Sequence, residues 1–512
     1  MNIQDITEPK EVEKVFVSHL KENKIFQEQQ LWTINYSSLG GRGIFATRDI
    51  KQNELIFIDA PLIIGPKCLN KQTKMCICCY KNECPLFPCD KGCGLPVCST
   101  QCENSPNHEK ECEYLRSLIP ICGTDWCLNL LLAMIPIRGL FMTKMQRKCL
   151  ATLQYNKNLF SKYEIELLKK NVVNSPSDED IEMMERICRA FNTNSFETIR
   201  VHDKDHFTNL RGLYSLGSLQ NHCCIPNTRH YFDEEFRLYV RAALPISAGE
   251  EITMSYTSLF WDTTLRRQFL NVTKNFSCIC KRCSDSTEFN SKLGALLCAS
   301  DKCSGELLPK NPLNMRTSWI CNKCTITINH RQICSIRSGL AAIIKEIIYK
   351  TPREIFKFLQ KDLSIIVPQS NYLIMDVKFR IISYYGRSND LQWKGTNNIR
   401  MYFIQNLLIY TLYDTFLNII LDLSDTELNI KANYCNDLLS VLDTLNSGDS
   451  TKKGLILYEL YCTNLEKMKR FEQSDIQKID ENQHLLKEVI NILQNDAILA
   501  VRFEYDQKYF KK

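Results

Sequence analysis

Apolar and polar positions divide the chain into regimes of different period. Over 43–49 and 54–64, β-branched and aromatic residues cluster on either side of the polar turn Lys51-Gln52-Asn53, a pattern that predicts two strands. Residues 236–243 and 251–256 read the same way, joined by a turn over 245–250. From about 113 to 200 the spacing becomes helical. Leu128, Leu131, Leu132 and Ile135 share one face of a helix expected to end near Pro136. Beyond Cys334 the pattern is helical to the end of the chain, with apolar residues at helical spacing over 401–422 and 453–463 and at Leu485, Leu486, Val489, Ile490 and Leu493. No clean internal repeat is found in this last part.

Composition narrows the class only modestly. The 512 residues have room for two to four domains, and 44% hydrophobic with 24% charged residues is an ordinary soluble balance. A net charge of +6 over this length, without a long basic run, gives no reason to expect sequence-specific nucleic-acid binding. The opening Met1-Asn2-Ile3-Gln4-Asp5 has neither a basic region nor an apolar core, so no secretory signal is expected. Residues 401–422 come closest to a membrane span, but Arg400, Gln405, Asn406, Asp414 and Asn418 interrupt them, and a buried helix is the better reading. No membrane association is expected.

Cysteine changes the picture. Twenty-six of them in a chain without a visible signal point to metal rather than disulfides, because cytosolic thiols are kept reduced. One cluster runs Cys76-x2-Cys79, Cys89-x3-Cys93, Cys98-x3-Cys102 and His108-x3-Cys112, eight ligands that make two closed, structural zinc sites. A second, Cys278-x-Cys280-x2-Cys283, supplies three ligands and needs a fourth. The third, Cys298-x4-Cys303 with Cys321-x2-Cys324, frames Gly305-Glu306-Leu307-Leu308-Pro309 and Trp319 and reads as a zinc ribbon.

Three further segments carry a resemblance. Gly40-Gly41-Arg42-Gly43-Ile44-Phe45-Ala46-Thr47-Arg48-Asp49-Ile50 is a glycine-rich entry where missing Cβ atoms allow close backbone approach. Asn221-His222-Cys223-Cys224-Ile225-Pro226-Asn227 and Gly249-Glu250-Glu251-Ile252-Thr253-Met254-Ser255-Tyr256 follow it. Together, with the first cysteine cluster nested between them and a helical tail after, they resemble the SET and MYND domain-containing family of protein-lysine methyltransferases, and the ribbon resembles its arthropod, SmydA-like group. The fold this implies is α+β: a β-rich SET domain split by a MYND zinc module and a helical insert, then a post-SET zinc site, the small ribbon and an all-helical C-terminal domain of tetratricopeptide-like type. The corresponding divisions are 1–67 and 194–257 for SET, 68–112 for MYND, 113–193 for the insert, 258–290 for post-SET, 291–335 for the ribbon and 336–512 for the tail.

The resemblance also implies ligand sets and roles. Cys76, Cys79, Cys98 and Cys102 would hold one zinc ion, Cys89, Cys93, His108 and Cys112 a second, Cys224 with Cys278, Cys280 and Cys283 a third, and the ribbon a fourth. Cys78 and Cys84 are left as free thiols, and Cys223 as a small buried side chain. S-adenosyl-L-methionine is the implied cofactor, held by Arg42, Gly43, Asn194, Ser218, Asn221, His222, Tyr256 and Phe276, with Tyr256 orienting the substrate amine. Asn194 reads equally well as a helix end. A monomer acting on a protein lysine, with a peptide partner at the MYND module and a cytoplasmic and nuclear location, completes the expectation.

One position departs from the family pattern. Four residues before Cys278, where active members often carry a second Tyr, stands Lys274, followed by Phe276. A cation there would weaken binding of a sulfonium cofactor and of lysine, unless the side chain extends into solvent. The competing reading is therefore an interaction protein with little or no catalysis, such as a transcriptional corepressor.

Overall fold

The computed structural model describes residues 4–66, 74–82, 84–121, 128–156, 162–202, 207–347, 352–361, 363–384, 423–470 and 476–493. Three small sheets form the β-rich centre. In the first, Trp32–Tyr36 pairs antiparallel with Arg42–Ala46 across the Gly40-Gly41 turn, where φ reaches 133° and 63°. Arg42–Ala46 pairs with Glu251–Met254, which runs parallel to the two-residue strand Asn221–His222. The second sheet orders Thr228–Phe232, Leu238–Ala242 and Leu55–Asp59. The third orders Pro61–Pro66, Phe207–Tyr214 and Phe196–Val201.

Their shared core is built from alternating strand positions such as Ile34, Ile44, Ile56, Phe57, Leu213, Val240 and Ile252. An N-terminal helix, Pro9–Glu22, closes it with Val12, Phe16 and Leu20, four residues apart on one stripe. Asp59, wholly buried, accepts hydrogen bonds from the backbone N–H of Leu216 (2.7 Å) and Gly217 (2.9 Å), fixing the short 3₁₀ turn that leads to Asn221.

The α+β class is as expected from the sequence, and the departures have simple causes. The strand expected over 54–64 is two strands in different sheets, Leu55–Asp59 and Pro61–Pro66. The strand over 236–243 is Leu238–Ala242, because Phe236 takes φ 62° in the preceding turn. Pro136 does not end a helix: Leu128–Leu132 stops first, and Pro136 sits in the opening turn of Met134–Leu140, where the missing N–H costs nothing.

The cysteine-rich segment shares a core with that helical insert, with Ile77, Leu95 and Val97 packed among Leu115, Leu131, Ile137, Leu168 and Met184. The ribbon is a four-stranded antiparallel meander of Leu296–Leu297, Glu306–Pro309, Trp319–Cys321 and Thr327–Ile328. In the tail the helices His330–Ile347, Pro352–Lys361, Tyr372–Tyr384, Asp425–Thr444, Thr451–Arg470 and Ile476–Leu493 pack through one apolar cluster that also takes in Leu259, Phe260 and Trp319. The expected helix over 401–422 lies outside the described residues. Among the described residues, no helix is long and apolar enough to cross a membrane.

Candidate active site and metal centres

Backbone pairing brings the three separated motifs together: the glycine-rich strand, the Gly-Glu-Glu strand and the Asn-His turn are neighbours in one sheet. Asn221 Nδ2 donates to the Arg42 carbonyl (3.0 Å) and to Glu251 Oε1 (2.7 Å), and Glu251 Oε2 accepts from the Ser37 hydroxyl (2.7 Å). Gly43 makes this possible. A Cβ there would lie 2.9 Å from the Glu251 carboxylate carbon and 3.1 Å from Asn221 Nδ2.

His222 is buried, and desolvation lowers its pKa to about 3. Its Nδ1 accepts the Tyr256 backbone N–H (3.0 Å), which assigns the single proton to Nε2, 3.2 Å from Cys224 Sγ. The strand expected over 251–256 stops at Met254, and this one imidazole ties the bend that follows, at Tyr256, to a cysteine of the third cluster. The Tyr256 hydroxyl donates to the Gln220 carbonyl (2.6 Å), and burial together with the charge of Glu251 raises its pKa, so the phenol stays protonated. His222, Tyr256 and Phe276 form an aromatic trio with ring centroids 5.3 to 6.5 Å apart.

The other expected cofactor residues fall around this group in different ways. The buried Arg42 guanidinium donates to the carbonyls of Ile6 (3.1 Å) and Thr152 (2.5 Å), so its carbonyl, not its side chain, meets Asn221. Asn194 ends the helix Asp178–Asn194, with Nδ2 donating to Gln154 and Ala190 carbonyls, while its own carbonyl accepts the Ser218 hydroxyl (3.0 Å). Lys274 does not extend into solvent. It ends the helix Thr263–Lys274, donates to the Thr193 carbonyl, and places Nζ 5.3 Å from the Tyr256 ring centroid. Burial, with a smaller contribution from Arg211, lowers its pKa to about 8.

Four sets of ligand atoms converge, each within 4.8 Å: Cys76, Cys79, Cys98, Cys102; Cys89, Cys93, His108, Cys112; Cys224, Cys278, Cys280, Cys283; and Cys298, Cys303, Cys321, Cys324. Sulfur separations such as 3.5 Å (Cys79 to Cys98), 3.9 Å (Cys89 to Cys112), 3.8 Å (Cys224 to Cys278) and 3.7 Å (Cys303 to Cys321) suit a tetrahedron around zinc, whose edge is roughly 3.8 Å for Zn–S of about 2.3 Å. Disulfides, at about 2.05 Å, are excluded for these described cysteines. Cys78 and Cys84 stay outside the clusters: Cys78 bonds the Cys102 carbonyl, and Cys84 faces that of Lys81.

Sequence reasoning missed three residues that build this site: Glu251, Asp59 and Arg266. Glu251 lay inside a quoted motif, so a signal existed. Arg266 carried none. Fully buried, it donates to Cys224 Sγ (3.1 Å), Cys283 Sγ (3.5 Å) and Glu288 (2.6 Å), placing positive charge beside four sulfurs that would ligate zinc as thiolates.

Residues 41–257 match the family model of the SET domain. The SET domain-containing protein SmydA-8, isoform A, of Drosophila melanogaster is 31% identical over 462 residues, 89% of this chain and 93% of that protein. The chain belongs to the SET and MYND domain (SMYD) family. Within it the chain is of the arthropod, SmydA type. It is also similar to Arabidopsis thaliana histone-lysine N-methyltransferase ASHR1, at 25% identity over 59% of the chain and 66% of that protein, and to human histone-lysine N-methyltransferase SMYD3, at 27% over 48% and 59%.

Proposed function

We propose that this SMYD-family chain is an S-adenosylmethionine-dependent protein-lysine N-methyltransferase acting on histone or non-histone proteins, with four structural zinc ions. The observation that carries the reading is the meeting of Gly43, Asn221 and His222 on one sheet with Tyr256 just beyond the end of its Glu251–Met254 strand, the Tyr256 phenol held to a backbone carbonyl beside two further aromatic rings. The names of its relatives ASHR1 and SMYD3 point the same way.

When bound, S-adenosylmethionine supplies a methyl group activated by a sulfonium. The residues present suit it: three aromatic faces favour a cation, and a neutral His222 adds no competing charge. Asn221, oriented by Glu251, is the polar hold on the cofactor. Tyr256 is protonated and fixed, so it orients the incoming amine by hydrogen bonding rather than removing its proton, and the enzyme's contribution is positioning and desolvation. The zinc ions hold the segments in place, since every cluster already has four ligands and no open position. We extend the proposal to a cytoplasmic and nuclear location.

A second reading, an interaction protein with little turnover, is favoured by one observation: the Lys274 ammonium on the Tyr256 ring, where it competes with another cation. Calorimetric titration with S-adenosylhomocysteine separates the two. Saturable binding that falls at least tenfold in Asn221→Ala is expected of the methyltransferase, and absence of binding by the wild type would leave the interaction reading.

A further inference from the structure

Lys274 is a cation in a place that ordinarily discourages one. A lysine in the last turn of a helix usually reaches water or the helix's own terminal carbonyls. This one crosses to the Thr193 carbonyl, on a different element, and lies on the face of Tyr256. Asn275, in a left-handed conformation at φ 59°, turns the chain immediately after it, so that Phe276 joins the aromatic trio from the same segment. Among the described residues no carboxylate pairs with Lys274, while Arg211, bonded to the Ser195 hydroxyl (2.6 Å), adds a second positive charge close enough to be felt at Lys274. A half-buried ammonium with a carbonyl and a π-face but no counter-charge is incompletely compensated. An anionic ligand completes it.

The geometry points to Lys274 as the residue that binds the carboxylate of the cofactor's methionine portion, so that the position departing from the family pattern anchors the cofactor instead of repelling it. This inference rests on the methyltransferase reading. A carboxylate is the one anionic group of S-adenosylmethionine, and pairing it with Lys274 fixes the amino-acid end of the cofactor at the side of Tyr256, leaving the sulfonium to the aromatic faces. The amino-acid end, with its counter-charge, would then shield the sulfonium from the lysine.

The test compares two ligands that differ only at that end. S-adenosylhomocysteine carries the carboxylate and 5′-methylthioadenosine does not. By calorimetry, Lys274→Gln should weaken S-adenosylhomocysteine binding about tenfold or more, leave 5′-methylthioadenosine binding within about twofold, and be largely rescued by Lys274→Arg. Unchanged methylthioadenosine affinity also shows that the variant is folded. Equal loss for both ligands, or tighter S-adenosylhomocysteine binding in Lys274→Gln, overturns the inference and leaves the methyltransferase reading standing. A wild type that binds neither ligand overturns that reading and the inference with it.

Discussion

Gly43 shows how one missing Cβ organises the site. The Glu251 carboxylate occupies the space above it and turns Asn221 toward the glycine-rich strand. In Gly43→Ala the cheapest response is rotation of the flexible Glu251 side chain, which breaks its bonds to Asn221 and Ser37. The expected stability loss is about 1–2 kcal/mol, the net worth of one or two such hydrogen bonds, with a larger relative loss of cofactor affinity. Thermal unfolding beside calorimetry checks this, and unchanged affinity would show that the Glu251–Asn221 bond is irrelevant to the site. At this scale the motifs that carry the family resemblance singled out Asn221, His222 and Tyr256, and the structure places these three residues beside one another. The sequence was silent where a role depends on direction. Arg42 points its guanidinium to Ile6 and Thr152, and whether Lys274 meets solvent or Tyr256 is decided by a helix end that spacing cannot orient.

The segment from Thr263 to Cys283 couples a helix, a set of four cysteines that could hold a metal ion, and the Asn-His turn. Arg266 and His222 both donate to Cys224 Sγ, and His222 also accepts the Tyr256 backbone N–H, so the third cysteine cluster and the segment around Tyr256 share one hydrogen-bond chain. Cys224→Ser is accordingly expected to lower zinc content from four ions to three and to weaken S-adenosylhomocysteine binding as well. Elemental analysis and calorimetry on the same preparation check both halves. Four ions in the variant would show that Cys224 is not a ligand, and a loss of zinc with intact binding would show that the chain is not coupled. The cysteine clusters were readable in advance because metal geometry restricts spacing, whereas their division into ligand sets, with Cys224 completing the third, came from the resemblance to the family. The helix boundaries around Pro136 were not, since a proline fits the first turn of a helix as readily as it stops one.

At the scale of the whole molecule, the cysteine-rich module and the helical insert form one core, the three sheets another, and the ribbon and tail a third. The tail is tied to the SET domain: Arg229 donates to the carbonyls of Asn491 and Ile492 (both 3.0 Å), and the Asp449 N–H donates to the Ala243 carbonyl (2.9 Å). Periodicity announced a helical tail, but these contacts depend on chain turns such as Gly448, at φ 55°, that no pattern encodes. What the assembled molecule is proposed to do is transfer a methyl group, and the most direct measurement is transfer of radiolabelled methyl from S-adenosylmethionine to lysines on a peptide array, by wild type and by Tyr256→Phe. The account predicts labelling by the wild type and a loss of about 100-fold or more in the variant, with S-adenosylhomocysteine binding nearly unchanged. Equal labelling by both proteins would contradict it.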